Sequence, residues 1–214
     1  MTPASGSWRQ LPPWVSGLIL LCCGIELLIV LLQLTGWPEA RGIATVYGGF
    51  WSRLFHDLGP VYPGQQVAMF LSYGLLHGGL LHLGMNMISL AVVARELARL
   101  MAPGVMLLIY LISQIAAAGL FALMAPAAGP MVGASGAVFG LAGALVGVVA
   151  LRRSRRGQPM GPLWRAVANI VVLNLGLTLL VPAIAWQAHL GGALAGLALG
   201  LWIGSRSEPE AIRR

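Results

Sequence analysis

Lysine is absent from this chain of 214 residues, and charged side chains of every kind make up only 9% of it. A soluble domain carries about 25% charged residues, so a fully water-bathed surface is excluded. Acids are scarce, six Asp and Glu in all, and arginine alone supplies the positive charge behind the formal net of +7. That excess does not read as a nucleic-acid footprint, because no basic helix face with interleaved aromatics accompanies it. Cysteine is limited to the neighbours Cys22 and Cys23 inside an apolar run. Adjacent and lipid-embedded, they offer no disulfide framework and no metal-ligand spacing. No metal or cofactor is expected.

What the chain has instead is apolar length: 58% hydrophobic residues and a mean hydropathy of +0.84. Crossing a ~30 Å hydrocarbon core at ~1.5 Å per residue takes about 20 such residues. Six segments qualify or nearly so, at about 14–35, 79–97, 103–123, 135–151, 164–181 and 187–204. The expected fold is an all-α membrane protein, one bundle of six transmembrane helices over 14–204, with short tails at 1–13 and 205–214. The first segment lacks a small-residue cleavage pattern and reads as an anchor rather than a signal peptide. Residues 36–65 form a long Gly-, Pro- and aromatic-rich connection, of which 46–56 is amphipathic and too short to span. Such a segment is expected to lie in the interface, with His56 solvated.

Arginine also sets an orientation. The connections after spans two and four hold Arg95, Arg99, Arg152, Arg153, Arg155, Arg156 and Arg165, whereas those after spans one, three and five hold only Arg41 and Arg53. By the positive-inside rule both termini are cytoplasmic. Spans two, four and six then enter from the outer side, and each carries a polar group near its start: His82, Ser135 and His189. Ionisable groups inside membranes are costly and mark function by default. Glu26, in the middle of span one, is expected to be an inward-facing, hydrogen-bonded carboxyl, with a functional acid as the alternative.

Ser135 is flanked by Gly133 and Gly136 at a helix entrance. A serine hydroxyl is a weak nucleophile until a base within hydrogen-bond reach takes its proton, and His189 is the natural base because imidazole titrates near neutrality. Small residues at Ala188, Gly192, Gly196 and Gly200 form a ridge that matches Gly136, Gly140 and Ala144. Close packing of the two ridges would bring imidazole to hydroxyl. Phe139, one turn below Ser135, either stacks on the His189 ring or simply fills the core. No acid is placed to orient His189, so a Ser–His dyad is expected. The backbone N–H of Ser135 at a helix start, with His82 and Asn86 on one face of span two, would supply oxyanion donors. His77 precedes that span and is expected to brace the loop by hydrogen bonds, a direct role being the alternative.

These motifs resemble those of the rhomboid intramembrane serine proteases. Gly133-Ala134-Ser135-Gly136 is similar to the family's Gly-x-Ser-Gly, and His77, His82 and Asn86 to its His-x4-His-x3-Asn; Ala188-His189 followed by Gly192 and Gly196 resembles its sixth helix. The resemblance covers about residues 14–204. It implies Ser135 as nucleophile, His189 as general base, and His82 with Asn86 as oxyanion stabilisers. Implied substrates are single-span membrane proteins, cut near the outer face at small residues in a locally unwound helix. Two departures stand out. Many members have a Trp-Arg pair where this chain has Ala68-Met69, and the family often has tyrosine at Phe139.

The expected protein is therefore a multi-pass serine endopeptidase of a bacterial inner membrane, working in the lipid bilayer without nucleic acid. The oligomeric state is not specified by the sequence. The rival is a non-catalytic, rhomboid-like protein that binds transmembrane helices without cutting them. A transporter or channel would need polar groups through the whole membrane, and here they stop in the outer half.

Overall fold

A computed structural model describes residues 11–180 and 185–206 of the chain. Among them run nine α-helices: α1 (Pro13–Leu34), α2 (Ala40–Gly48), α3 (Ser52–His56), α4 (Gln65–Ser72), α5 (Leu80–Leu97), α6 (Pro103–Met124), α7 (Ser135–Arg155), α8 (Gly161–Leu180) and α9 (Trp186–Arg206). Five of these, α1, α5, α6, α7 and α9, are long and apolar enough to cross a membrane. The 20-residue α8 occupies the place of the expected fifth span. The tails expected at 1–13 and 205–214, and the turn expected at 182–186, lie largely outside the described residues.

Helix ends follow local chemistry. Pro13 and Pro103 open α1 and α6, where a missing N–H costs nothing. At the far end of α7, Arg152 donates to the Leu100 carbonyl and Arg155 to those of Gly204 and Ser205. Cations there meet the negative end of the α7 dipole and the carbonyls left unpaired at the end of α9 and just beyond α5.

The long helices expose apolar side chains rather than polar ones. On α5, Leu81, Ile88 and Val92 form such a stripe, and Leu20, Leu27 and Leu28 do so on α1. Contiguous exposed hydrocarbon on this scale marks a membrane or partner contact, and along helices long enough to span a bilayer it fits lipid. The buried residues are few and often small, because lipid tails are as apolar as leucine and close helix contact must come from shape.

At the centre α7 packs most intimately on α9. A methyl group on Gly192 would coincide with the Gly136 carbonyl, one on Gly196 with the Gly140 carbonyl, and one on Gly200 with the Ala144 carbonyl. The two small-residue ridges are thus in direct backbone contact. On its other faces α7 meets α6, through Ser113 and Ala117, and α5, within a core of Leu83, Met87, Leu90, Ile109, Leu141 and Ala144.

The connection after α1 folds into the short helices α2 and α3 and packs on the bundle. Residues 46–56 are not simply draped over a surface: Phe50 and Leu54 are buried, and Phe50 packs edge-on against Phe70, Tyr73 and Phe121. His56 is exposed, as expected, and its Nε2 also donates to the Ala122 carbonyl at 3.1 Å. The apolar run from 67 is broken into α4, a 3-10 turn at Tyr73–Leu75, and α5. The break comes at Gly78-Gly79, where Gly79 takes a φ of 136° that side-chain-bearing residues rarely adopt. Helix α4 carries the Ala68-Met69 that replaces Trp-Arg, with Met69 fully buried. Its polar side chains secure the loop: Gln65 donates to the Val46 carbonyl, Gln66 to Leu54 and Ser72 to Gly48, at 2.7–2.8 Å.

Candidate active site

Helices α5, α7 and α9 all begin at one end of the bundle, and each delivers a polar side chain there. Two tethers fix how the chain enters α7. Met131 and Phe50 exchange backbone hydrogen bonds of 2.8 and 2.9 Å, and the Gly133 N–H donates to the Tyr73 carbonyl at 2.9 Å. Tyr73 is itself held by its hydroxyl, which donates to the Gln114 carbonyl at 2.8 Å. The last residues before Ser135 are therefore positioned by backbone bonds to the preceding loop.

Gly133 is required twice over. Its φ is 120°, and a Cβ there would stand 2.8–2.9 Å from Cε1 and Nε2 of His82. Ser135 Oγ lies 3.9 Å from that same point, so the His82 ring edge and the serine hydroxyl share one small space. Gly136 is equally constrained, since a Cβ would press on Ala117 at 2.5 Å.

Ser135 Oγ and His189 Nε2 are 2.8 Å apart, a full hydrogen bond. Phe139 stacks on the His189 imidazole with centroids 4.5 Å apart and planes 12° off parallel, so stacking rather than plain core filling is what it does. Of the acids in the long helices, Glu26 pairs with Arg41 and Glu96 with Arg99.

Asn86 is only partly where the sequence suggests. It is buried on the face of α5 that bears His82, yet its Nδ2 donates back to the His82 carbonyl at 2.9 Å, and Oδ1 has no partner. The His77 ring is tucked beside the Leu75 backbone and edge-on to His82 at 5.3 Å, with neither nitrogen in hydrogen-bonding geometry. Burial, helped by the adjacent His82, pushes its pKa down to about 4. It is the His77 carbonyl, not the ring, that braces the loop, by accepting from Arg41 at 2.8 Å.

Arg41 is the residue that sequence reasoning missed; it counted only towards orientation. Its bidentate partner is Glu26, which is indeed inward-facing and bonded, across α1 and α2. The available signal was an isolated acid in one span and an isolated arginine shortly after it.

Residues 64–206 match the Rhomboid domain family, about two thirds of the chain. The chain belongs to the rhomboid family, and with its several apolar helices it is a multi-pass integral membrane protein. Comparison with individual curated proteins gives no match.

Proposed function

We propose that this rhomboid protein is an intramembrane serine endopeptidase with a six-span bundle, α8 being the fifth span. The observation that carries it is the 2.8 Å Ser135 Oγ–His189 Nε2 contact at the bundle end where three helices begin. In the first step the Oγ attacks the scissile carbonyl carbon while His189 Nε2 takes the hydroxyl proton. The oxyanion forms beside the Ser135 N–H and His82. Collapse breaks the C–N bond, and His189 returns the proton to the leaving amine. Water, deprotonated by His189, then attacks the acyl-enzyme and releases the new carboxylate and the free serine. No metal or cofactor enters any step. Phe139 holds the imidazole plane throughout.

Substrates of this protease are single-span membrane proteins whose helix unwinds near the outer face, the site lying in the outer half of a bacterial inner membrane with both chain termini cytoplasmic. Charge asymmetry between the connections supports that orientation. Co-expression with a panel of tagged single-span proteins should yield cleavage products with the wild type and none with Ser135→Ala. A non-catalytic helix binder would give captured but uncut partners with both. Cysteines introduced at the exposed Gly59 and Ser154 should react with an impermeant reagent in intact cells at Gly59 only; the reverse pattern would move the site to the inner leaflet.

The two oxyanion candidates should separate in kinetics. His82 already faces Ser135, whereas Asn86 must turn its Nδ2 away from the His82 carbonyl. Losing one oxyanion donor costs roughly 100- to 1000-fold in turnover. His82→Ala should fall in that range and Asn86→Ala clearly short of it. Equal losses would mean that Asn86 reorients fully when substrate binds.

A further inference from the structure

Glu26 is the one acid buried among the described residues, with 1% of its side chain exposed. Arg41 of α2 reaches both of its oxygens, Nη2 to Oε1 at 2.8 Å and Nη1 to Oε2 at 3.0 Å. The same Nη1 also donates to the His77 carbonyl at 2.8 Å. That carbonyl and the Gly78 N–H are the two ends of one planar peptide group. The Gly78 N–H in turn donates to His82 Nδ1 at 3.2 Å.

A peptide N–H can only donate, so Nδ1 is the unprotonated nitrogen and the proton of the neutral ring sits on Nε2. Nε2 is the atom that shares the space over Gly133 with Ser135 Oγ. His82 thus presents an N–H, not a lone pair, to the place where negative charge would develop. We propose that Glu26 and Arg41 are positioning residues for the oxyanion site: their ion pair holds the 77–78 peptide, and that peptide holds His82 as an Nε2–H donor. This rests on the protease reading and on His82 as an oxyanion donor.

The physical case has two parts. The turn ahead of α5 contains Gly78 and Gly79, which bring no side chain of their own to anchor it. Arg41 provides the missing anchor from a helix otherwise remote from the site. A guanidinium on the carbonyl also polarises the peptide, strengthening the N–H bond into Nδ1 and making Nε2–H a better donor. Truncating Arg41 alone would strand a buried carboxylate, whereas replacing both partners by apolar residues avoids an uncompensated charge.

The test is the pair Glu26→Leu/Arg41→Leu, assayed for cleavage of a transmembrane substrate in detergent or liposomes, alone and in a His82→Ala background. In the wild-type background kcat should fall about 10- to 100-fold, short of the roughly 100- to 1000-fold lost with an oxyanion donor itself, with KM little changed. In the His82→Ala background the same pair should change kcat by less than about twofold, because the relay then has nothing to orient. Histidine 15N spectra, assigned by the signal lost in His82→Ala, should show one Nε2–H tautomer in the wild type and a mixture in the Leu/Leu protein. An equal kcat loss with and without His82, or an unchanged tautomer, would overturn the relay and leave the pair with a folding role only. Should the Leu/Leu protein not fold, Arg41→Lys takes its place: one ammonium cannot reproduce the planar fork, so a smaller kcat loss confined to the His82-containing background is expected, and a loss independent of His82 counts against the relay. If the wild type neither cleaves nor reacts with a fluorophosphonate, it is the protease assignment that fails. Wild-type cleavage with intact kcat in the variants sinks only the relay.

Discussion

Ser135→Ala is expected to abolish fluorophosphonate labelling and to lower substrate cleavage by on the order of 10,000-fold or more. On the proposed protease reading the Oγ is the atom that forms the covalent bond, and His189 Nε2, 2.8 Å away, is the base that would activate it. His189→Ala should reduce labelling and cleavage nearly as much, and the double variant should be hardly worse than either alone, since nucleophile and base act as a unit. Purified protein, a serine-directed probe and one cleavable substrate suffice for the measurement. Labelling that survives Ser135→Ala would place the nucleophile elsewhere. Labelling untouched by His189→Ala would show that the imidazole does not activate the serine. Phe139→Ala should fall between, because it removes the stacked support of the ring and leaves the proton acceptor.

The second large effect is on assembly. Gly196→Ala adds one methyl group where the Gly140 carbonyl already stands, and no rotamer change can clear a backbone-on-backbone overlap. Overpacking a core with side chains costs about 1–3 kcal/mol, and here the neighbour that must yield is a helix backbone, so α9 has to retreat from α7. That retreat lengthens the Ser135–His189 contact, because the two side chains ride on the two helices concerned. Gly196→Ala should therefore inactivate at markedly lower temperature and label slowly even when folded. Gly119→Ala is the matched control: it lies in α6 with open space around the added methyl, and helix propensity alone favours it. Equal stability of the two variants would mean that α7 and α9 are not in backbone contact in the membrane.

Much of this arrangement is already written along the chain, because hydrophobic length, small-residue spacing and glycine placement are local properties. Apolar length marked out α1, α5, α6, α7 and α9 to within a few residues. Four-residue spacing of Gly192, Gly196 and Gly200 against Gly136, Gly140 and Ala144 anticipated the contact that joins Ser135 to His189. It worked because a helix puts every fourth residue on nearly one face, so a ridge in the sequence is a ridge in space.

What only the tertiary structure decided lies in the irregular segments and in the choice of partners. No periodicity announces that Phe50 and Met131 exchange backbone hydrogen bonds, since the two residues are brought together by how the loop folds back over α6. Asn86 shares a helix face with His82, as spacing requires, yet its amide donates to the His82 carbonyl one turn back on its own helix, a choice of rotamer that spacing does not set. Arg41 looked like an orientation signal, and Glu26 like a lone buried acid in need of some partner. Their pairing, and its extension through one peptide group to His82, depends on where α2 rests against α1 and the turn before α5. Sequence alone determined which residues are present for chemistry and on which helices they ride. Tertiary packing decided which atoms touch, because hydrogen bonds act over about 3 Å and only the folded path of the chain sets distances on that scale.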